Sequence, residues 1–157
     1  MKIKLIVIGK TDEQYLTEGI DKYAGRLKHY TNFELLVLPD VKQGSKLNTE
    51  KLKEEEGKLI LSKTEQSDYI ILLDEKGKEY TSTDFAALIQ KRLNAGFSSI
   101  IFVVGGAFGF SSAVYERANE KLSLSQMTFS HQMIRLFFTE QLYRAFTILK
   151  GEKYHHQ

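Results

Sequence analysis

Five short, nearly continuous apolar runs, each separated from the next by a segment of helical period, constrain this chain more than any other feature. The runs are Ile3–Ile8, Phe33–Leu38, Tyr69–Leu73, Ser99–Val104 and Lys121–Leu124. Such runs are too short for buried helices, and the Tyr69 and Ser99 runs in particular lack the polar alternation of a half-exposed sheet. They suit strands covered on both faces, as in a parallel sheet between helical layers. The order is βαβαβαβαβα, an α/β layered fold, and the third run is expected near the middle of the sheet. With 157 residues the chain has material for one core, so residues 1–157 are read as one domain.

The intervening segments carry recognisable starts and stops. Asp12 offers an N-cap to a helix burying Leu16, Ile20, Tyr23, Ala24 and Leu27, and Pro39 closes the second strand. A polar, basic-leaning loop, residues 42–49, leads to a charged helix that buries mainly Leu52, Leu59 and Ile60. Ser82 or Thr83 caps the next helix, which buries Phe85, Leu88, Ile89 and Leu93, and Gly96 ends it with a left-handed residue. A short helix starts near Ser111, and Ser130 caps the last one, over 131–149. That last helix is apolar almost all round, with Met133, Ile134, Leu136, Phe137, Phe138, Leu142, Tyr143, Ala145, Phe146, Ile148 and Leu149. A helix of that kind must be covered all round. The expectation is therefore a homodimer with this helix in the interface, a fully internal helix being the alternative.

Composition removes several function classes. No cysteine is present, which excludes disulfides, thiolate metal sites and a cysteine nucleophile, and fits a reducing cytosol. No apolar run approaches the roughly 18 residues of a membrane helix, so a cytoplasmic protein is expected. The net charge of +2 gives no global cationic field, and nucleic acid would have to be met by a local patch.

Four features bear on chemistry. Gly105-Gly106-Ala107-Phe108-Gly109-Phe110 follows a buried strand and precedes a helix, where backbone amides approach a ligand closely. Its spacing is not that of a dinucleotide fingerprint, and after Ile8, where such a fingerprint belongs, only Gly9-Lys10 stands. A tight turn without a ligand is the plainer reading. Leu73-Asp74-Glu75-Lys76-Gly77 sets carboxylates at the end of a strand, for a ribose hydroxyl or a cationic group, though acidic surface loops are common. Residues 122–131, LSLSQMTFSH, present backbone groups flanked by Met127 and Phe129 as apolar walls, or simply turn from strand to helix. From residue 131 onward four Lys or Arg face two Glu, with three of the four histidines and Tyr154. Cations beside an aromatic plane suit an unstacked nucleotide, whereas a frayed terminus and an i,i+4 Glu140–Arg144 pair account for them without a ligand.

The blocks 127–135 (MTFSHQMIR), 140–146 (EQLYRAF) and 151–155 (GEKYH), together with the opening, the LDEKGK loop and the GGxxG turn, resemble the RlmH family over the whole chain. Its members are small SPOUT-class methyltransferases that use S-adenosylmethionine to methylate N3 of a pseudouridine in 23S ribosomal RNA. The resemblance implies a Rossmann-like parallel sheet whose C-terminal part, about 69–157, is threaded into a trefoil knot, in a homodimer acting on the assembled ribosome. It implies a cofactor pocket of Leu73, Gly105, Leu124, Ser125, Gln126, Met127, Thr128 and Phe129, with the tail of one subunit reaching the cofactor of the other. Arg144, Tyr154 and His155 become the catalytic candidates, and His131, Arg135 and His156 the substrate-binding ones. No metal is implied, since the histidines lack ligand spacing and methyl transfer from a sulfonium needs none.

Ser130 and Lys153 stand where the family commonly has proline, and His156 where it commonly has Arg or Lys. The glycine turn carries Phe108 and Phe110 in place of smaller side chains. Direct displacement at the sulfonium methyl by a deprotonated N3 is the expected reaction, with a nearby cation stabilising the anion and His155 as a candidate base or phosphate ligand. Two other readings remain open: a non-catalytic dimeric RNA-binding module of the same fold, and a flavodoxin-like nucleotide-binding regulator.

Overall fold

A computed structural model describes residues 1–41 and 48–156; the expected basic loop at 42–49 falls largely outside them. Five strands, β1 (Lys2–Ile8), β2 (Asn32–Leu38), β3 (Asp68–Glu79), β4 (Ser99–Val104) and β5 (Glu120–Ser123), form one sheet in the order β2-β1-β4-β3-β5. Every pairing is parallel. Five helices connect and flank them: α1 (Gln14–Leu27), α2 (Thr49–Leu61), α3 (Ser82–Leu93), α4 (Ser112–Arg117) and α5 (Met133–Leu149).

The order of the sheet decides which face each helix covers. Steps from β1 to β2 and from β3 to β4 run one way along the sheet, and α1 and α3 pack on one face with α5 between them. Steps from β2 to β3 and from β4 to β5 run the other way, and α2 and α4 pack on the opposite face. A uniform crossover hand requires this division. Alternate residues of the inner strands feed the two cores: Phe102 and Ile71 meet Phe138 and Phe85, whereas Ile101 and Ile70 join Ile60 and Val114. β4 is buried along its whole length, as a continuous apolar run predicts, and it, with β3 one place over, occupies the interior of the sheet.

β3 is longer than its apolar run. It pairs with β5 through Leu73↔Leu122, shifts register, and resumes at Lys78↔Leu122. The residues between, Asp74 to Gly77, leave the ladder as an excursion at the carboxyl end of the sheet. Gly77 allows the return, because a Cβ there would lie 2.5 Å from the backbone nitrogen of Leu122.

The expected helix caps hold with small shifts at α3 and α5 and fail at α1. Thr81, rather than Ser82 or Thr83, caps α3 by accepting from the Asp84 amide at 3.1 Å, and Gly96 has the expected positive φ of 84°. Asp12 does not cap α1: Glu13 holds that position with no side-chain bond, and the Asp12 amide instead donates to Gln132 Oε1 at 2.9 Å. Leu59 is only half-buried on α2, where Leu52, Glu56, Gly57 and Ile60 turn inward. Ser130 Oγ accepts from the Met133 amide at 3.1 Å, so it caps α5 although the helix proper starts at Met133 rather than at residue 131.

α5 is held by one residue that was expected elsewhere. Arg135, read from the sequence as substrate-binding, has no exposed surface. Its guanidinium donates to the Ile8 carbonyl at 2.7 Å, the Gly9 carbonyl at 2.8 Å and Thr11 Oγ1 at 3.1 Å. It therefore completes the end of β1 from inside the protein and cannot touch an RNA from that position. Thr139 and Thr147 are also buried, and their hydroxyls donate to carbonyls one turn back, which lets polar groups sit on an enclosed helix. Removing the Arg135 side chain leaves two buried carbonyls without donors. Arg135→Ala is expected to lower stability by about 3 kcal/mol or more in urea unfolding, and a loss below about 1 kcal/mol would contradict the clamp.

Candidate active site

In an open parallel sheet, the crevice for a ligand lies at the carboxyl ends of adjacent strands whose following helices leave to opposite faces. β3 and β4 are such a pair, since α3 and α4 cover opposite faces. A cleft of about 760 Å³ opens there. Its floor is Leu73, Val104 and Leu122, one side is the turn 105–110, and the other is the segment 123–131, with Asp74, Glu75 and Lys76 from the excursion and Lys53 from α2 at the rim. Of the residues expected to bind a cofactor, Leu73, Gly105, Leu124, Ser125, Met127, Thr128 and Phe129 all line it. Gln126 does not: it is exposed and outside the wall. Three segments distant in sequence are thus brought to one site.

The glycine turn is shaped from behind. The Gly109 amide donates to the Gly106 carbonyl at 3.2 Å, with a positive φ of 88° at Gly109. Phe110 folds back beneath Gly105 and is buried, while Phe108 is exposed at the rim. A Cβ on Gly106 would meet the Glu56 carboxylate at 2.5 to 2.9 Å, so the turn rests directly on that group. Glu56 is only 7% exposed, and burial, with Asp40 adding to it, raises its pKa above the usual carboxylate range. Opposite the turn, Thr128 Oγ1 donates to Glu75 Oε2 at 3.0 Å, and the Tyr115 hydroxyl donates to the Asp74 carboxylate, tying the excursion to both neighbouring segments. Burial is the main reason the Tyr115 phenol lies above its ordinary range.

The cleft fits S-adenosylmethionine by the chemistry of its walls. Apolar side chains at Leu73, Leu124, Met127 and Phe129 suit an adenine, carboxylates at Asp74 and Glu75 suit ribose hydroxyls or cationic groups, and glycine backbone at 105–106 permits close approach. Among the described residues, no cluster of three or more His, Asp or Glu is placed to hold a metal ion.

The candidates from the tail form a second cluster. Arg144 Nη2 donates to Glu140 Oε1 at 2.6 Å, and the Tyr154 hydroxyl donates to the same oxygen at 2.9 Å. Arg144 Nη1 lies 3.0 Å from His155 Nδ1. A guanidinium only donates, so Nδ1 accepts and the His155 proton belongs on Nε2. In this arrangement His155 is a neutral donor, and the nitrogen a base would use is already occupied. Burial, then the Tyr23 hydroxyl and Glu140, raise the Tyr154 phenol above its ordinary range. His156 is exposed and stands apart from these contacts. None of the tail cluster lines the cleft of its own chain, and ten residues of α5, about 15 Å of helix, separate Ile134 at the cleft from Arg144.

His131 belongs to the cleft rather than to the tail. Burial and the neighbouring Arg135 cation lower its pKa, with Asp12 and Asp40 opposing the shift. It is therefore neutral near pH 7 and offers a hydrogen bond, not a charge. Four buried side-chain atoms lack a hydrogen-bond partner among the described residues: His131 Nδ1, Arg144 Nε, His155 Nε2 and Glu56 Oε1. Three belong to expected site residues, and the fourth lies directly behind the glycine turn. Nothing in the sequence singles out Glu56, which sits in a run of three glutamates on a charged helix.

Comparison with known proteins accords with this geometry. A family model described as "Predicted SPOUT methyltransferase" matches residues 1–155. The chain is 56% identical over 157 residues, all of both chains, to the Ribosomal RNA large subunit methyltransferase H of Christiangramia forsetii. It is 57% identical to the protein of that name from Cytophaga hutchinsonii, over 99% of this chain and all of the relative, and 55% identical to that of Parabacteroides distasonis over the full length of both. The chain belongs to the SPOUT methyltransferase family. That membership favours an enzyme over a non-catalytic module and replaces the flavodoxin-like reading.

The His131 environment gives a pH signature. Its folded-state pKa lies below the unfolded value, so the unfolded chain binds the proton more tightly and stability falls as pH drops from about 6.5 through the folded pKa. Carbon-detected NMR of the imidazole is expected to show titration below the ordinary histidine range. A pKa above that range would contradict the neutral assignment.

Proposed function

We propose that this protein methylates N3 of a pseudouridine in large-subunit ribosomal RNA, using S-adenosylmethionine, on the assembled ribosome in the cytoplasm. It acts as a homodimer, with the part from about residue 69 to 157 of its single domain threaded as a trefoil knot. The observation that carries this reading is the cleft at the carboxyl ends of β3 and β4, walled by Leu73, Gly105 and the segment 124–129, in a chain of the SPOUT methyltransferase family. The relatives named above supply the substrate class, and an apolar α5 surface with Phe137 still 38% exposed and touching Phe129 supplies the contact for a second subunit.

Leu73, Gly105, Leu124, Ser125, Met127, Thr128 and Phe129 hold the cofactor in this reading, which when bound supplies an electrophilic methyl group on a sulfonium. Phe129 and Met127, the latter 76% exposed, wall the cleft mouth and exclude water as the partner's tail closes over it. The N3–H of a uracil-like ring is weakly acidic; its proton passes to solvent water as the base enters the site, and the negative charge left behind spreads over the flanking carbonyl oxygens. Arg144, whose side chain keeps 24% of its surface exposed, is the cation that meets this charge, and Tyr154, through Glu140, and His155, at Nη1, order it. His131, neutral and beside the cofactor residues, orients the base by a hydrogen bond. With a net charge of +2, each protomer has little affinity for unstructured RNA, which is why a shaped target is required.

Transfer of labelled methyl to ribosomes from cells lacking this protein tests the reading, with free ribosomal RNA in parallel. Label on pseudouridine N3 in ribosomes, weakened by salt, and reduced about 100-fold or more in Arg144→Ala, is the expected result. Equal labelling of free RNA, or an Arg144→Ala variant of normal rate, would contradict it.

A further inference from the structure

The aromatic cluster that supports the tail also holds two cations for which the tail has no use. Tyr23 on α1, Tyr143 on α5 and Tyr154 follow one another with ring centroids 5.8 Å and 4.8 Å apart. The Arg26 guanidinium lies 5.6 Å from the centre of the Tyr23 ring and 5.4 Å from that of Tyr143, and Lys22 Nζ lies 5.7 Å from the Tyr23 ring centre. Arg144, on the Tyr154 ring at 4.6 Å, has its charge answered by Glu140. Arg26 and Lys22 are not answered: among the described residues neither forms an ion pair or donates a side-chain hydrogen bond. Two carboxylates of the tail and α5 are engaged elsewhere, Glu152 with the Tyr30 hydroxyl at 2.7 Å and Glu140 with Arg144 and Tyr154, and Glu18, one turn before Lys22, accepts from Gln14 at 3.0 Å.

Two aromatic faces hold a guanidinium in place without using any of its five N–H donors. Its rotamer freedom is already spent, so a ligand that binds it does not have to order it. A second cation on the same tyrosine repels it in the free protein, and an anion with several acceptor oxygens relieves that repulsion. Arg26 is half-exposed and Lys22 exposed, so the anion can come from outside.

Resting on the RNA-methyltransferase reading above, we propose that Arg26, with Lys22 beside it, grips a backbone phosphate of the RNA next to the nucleotide presented to the tail. Arg26 is thus a substrate-positioning residue carried by α1, part of the same surface as Tyr154 and His155. The sequence conceals it, because Tyr23 falls on the expected apolar face of α1 and Arg26 reads as an ordinary cation of the last helical turn.

The test uses full-length wild type, Arg26→Ala, Arg26→Gln and Arg26→Lys, with methyl transfer to ribosomes measured across a potassium chloride series. The expected result for the first two variants is a KM raised about tenfold, kcat and S-adenosylmethionine affinity by calorimetry within about twofold of wild type, and a log-affinity against log-salt slope smaller by about one. Arg26→Lys keeps the salt slope and recovers part of the KM, because a point charge replaces a fork. Unchanged KM and slope in a variant with a wild-type melting curve would overturn the proposal. So would a change of dimer mass in light scattering, which would place Arg26 in a subunit contact. A wild type that labels no ribosomes overturns the underlying reading instead.

Discussion

All five strands run the same way, so every strand leaves the sheet at the same edge, and the chain must spend a helix returning to the other edge before it can add a strand. That constraint places the ends of β3, β4 and β5 side by side. It also fixes where they part: α3 departs to one face and α4 to the other, opening a crevice that no side chain of the sheet can fill. The excursion of β3, the glycine turn after β4 and the segment after β5 are the three exits lining this crevice.

The same edge explains how the protein keeps the site stiff. Arg135 ties α5 to the last carbonyls of β1, and Glu56 backs the glycine turn from α2, so elements on both faces of the sheet brace the cleft. Both are charged groups taken out of water, which is expensive for a structure that needs only to fold. Arg135 recovers the cost through its donors, whereas Glu56 avoids it by holding its proton into a higher pH range. Among the described residues, the buried polar atoms left without partners lie at the tail, at the cleft and behind the glycine turn.

Much of this was legible in the sequence. The apolar runs of β3 and β4 locate those strands because burial on both faces leaves no polar alternation to confuse them, while β2 and β5, at the sheet edges, are only partly buried. The cleft residues at 73, 105 and 124–129 are identifiable because they sit at strand ends and match a family pattern, with Gln126 the one that turns outward. What the sequence could not reveal is direction. Arg135 reads as an exposed cation because its partners are carbonyls more than 120 residues away, and carbonyls leave no trace in composition. Glu56 reads as a solvated charge within a charged helix. His155 reads as a candidate base or phosphate ligand, although Arg144 occupies its Nδ1, a contact decided by how the tail folds against α5. The Asp12 cap failed for a related reason, since the backbone of Asp12 is held by Gln132, just ahead of α5, while Glu13 takes the N-cap position of α1.

The central claim is that the cleft of one subunit works with the tail of another, because the two clusters lie far apart along α5. Intersubunit complementation tests it most directly. Gly106→Val, whose side chain collides with the Glu56 carboxyl, disables the cleft, and Arg144→Ala disables the tail. Each variant alone is expected to be inactive, and co-assembling the two is expected to regenerate one intact composite site per heterodimer, so that methyl transfer to ribosomes returns in the mixture. Activity that stays absent in verified heterodimers would show that cleft and tail must belong to the same chain, and would contradict the account.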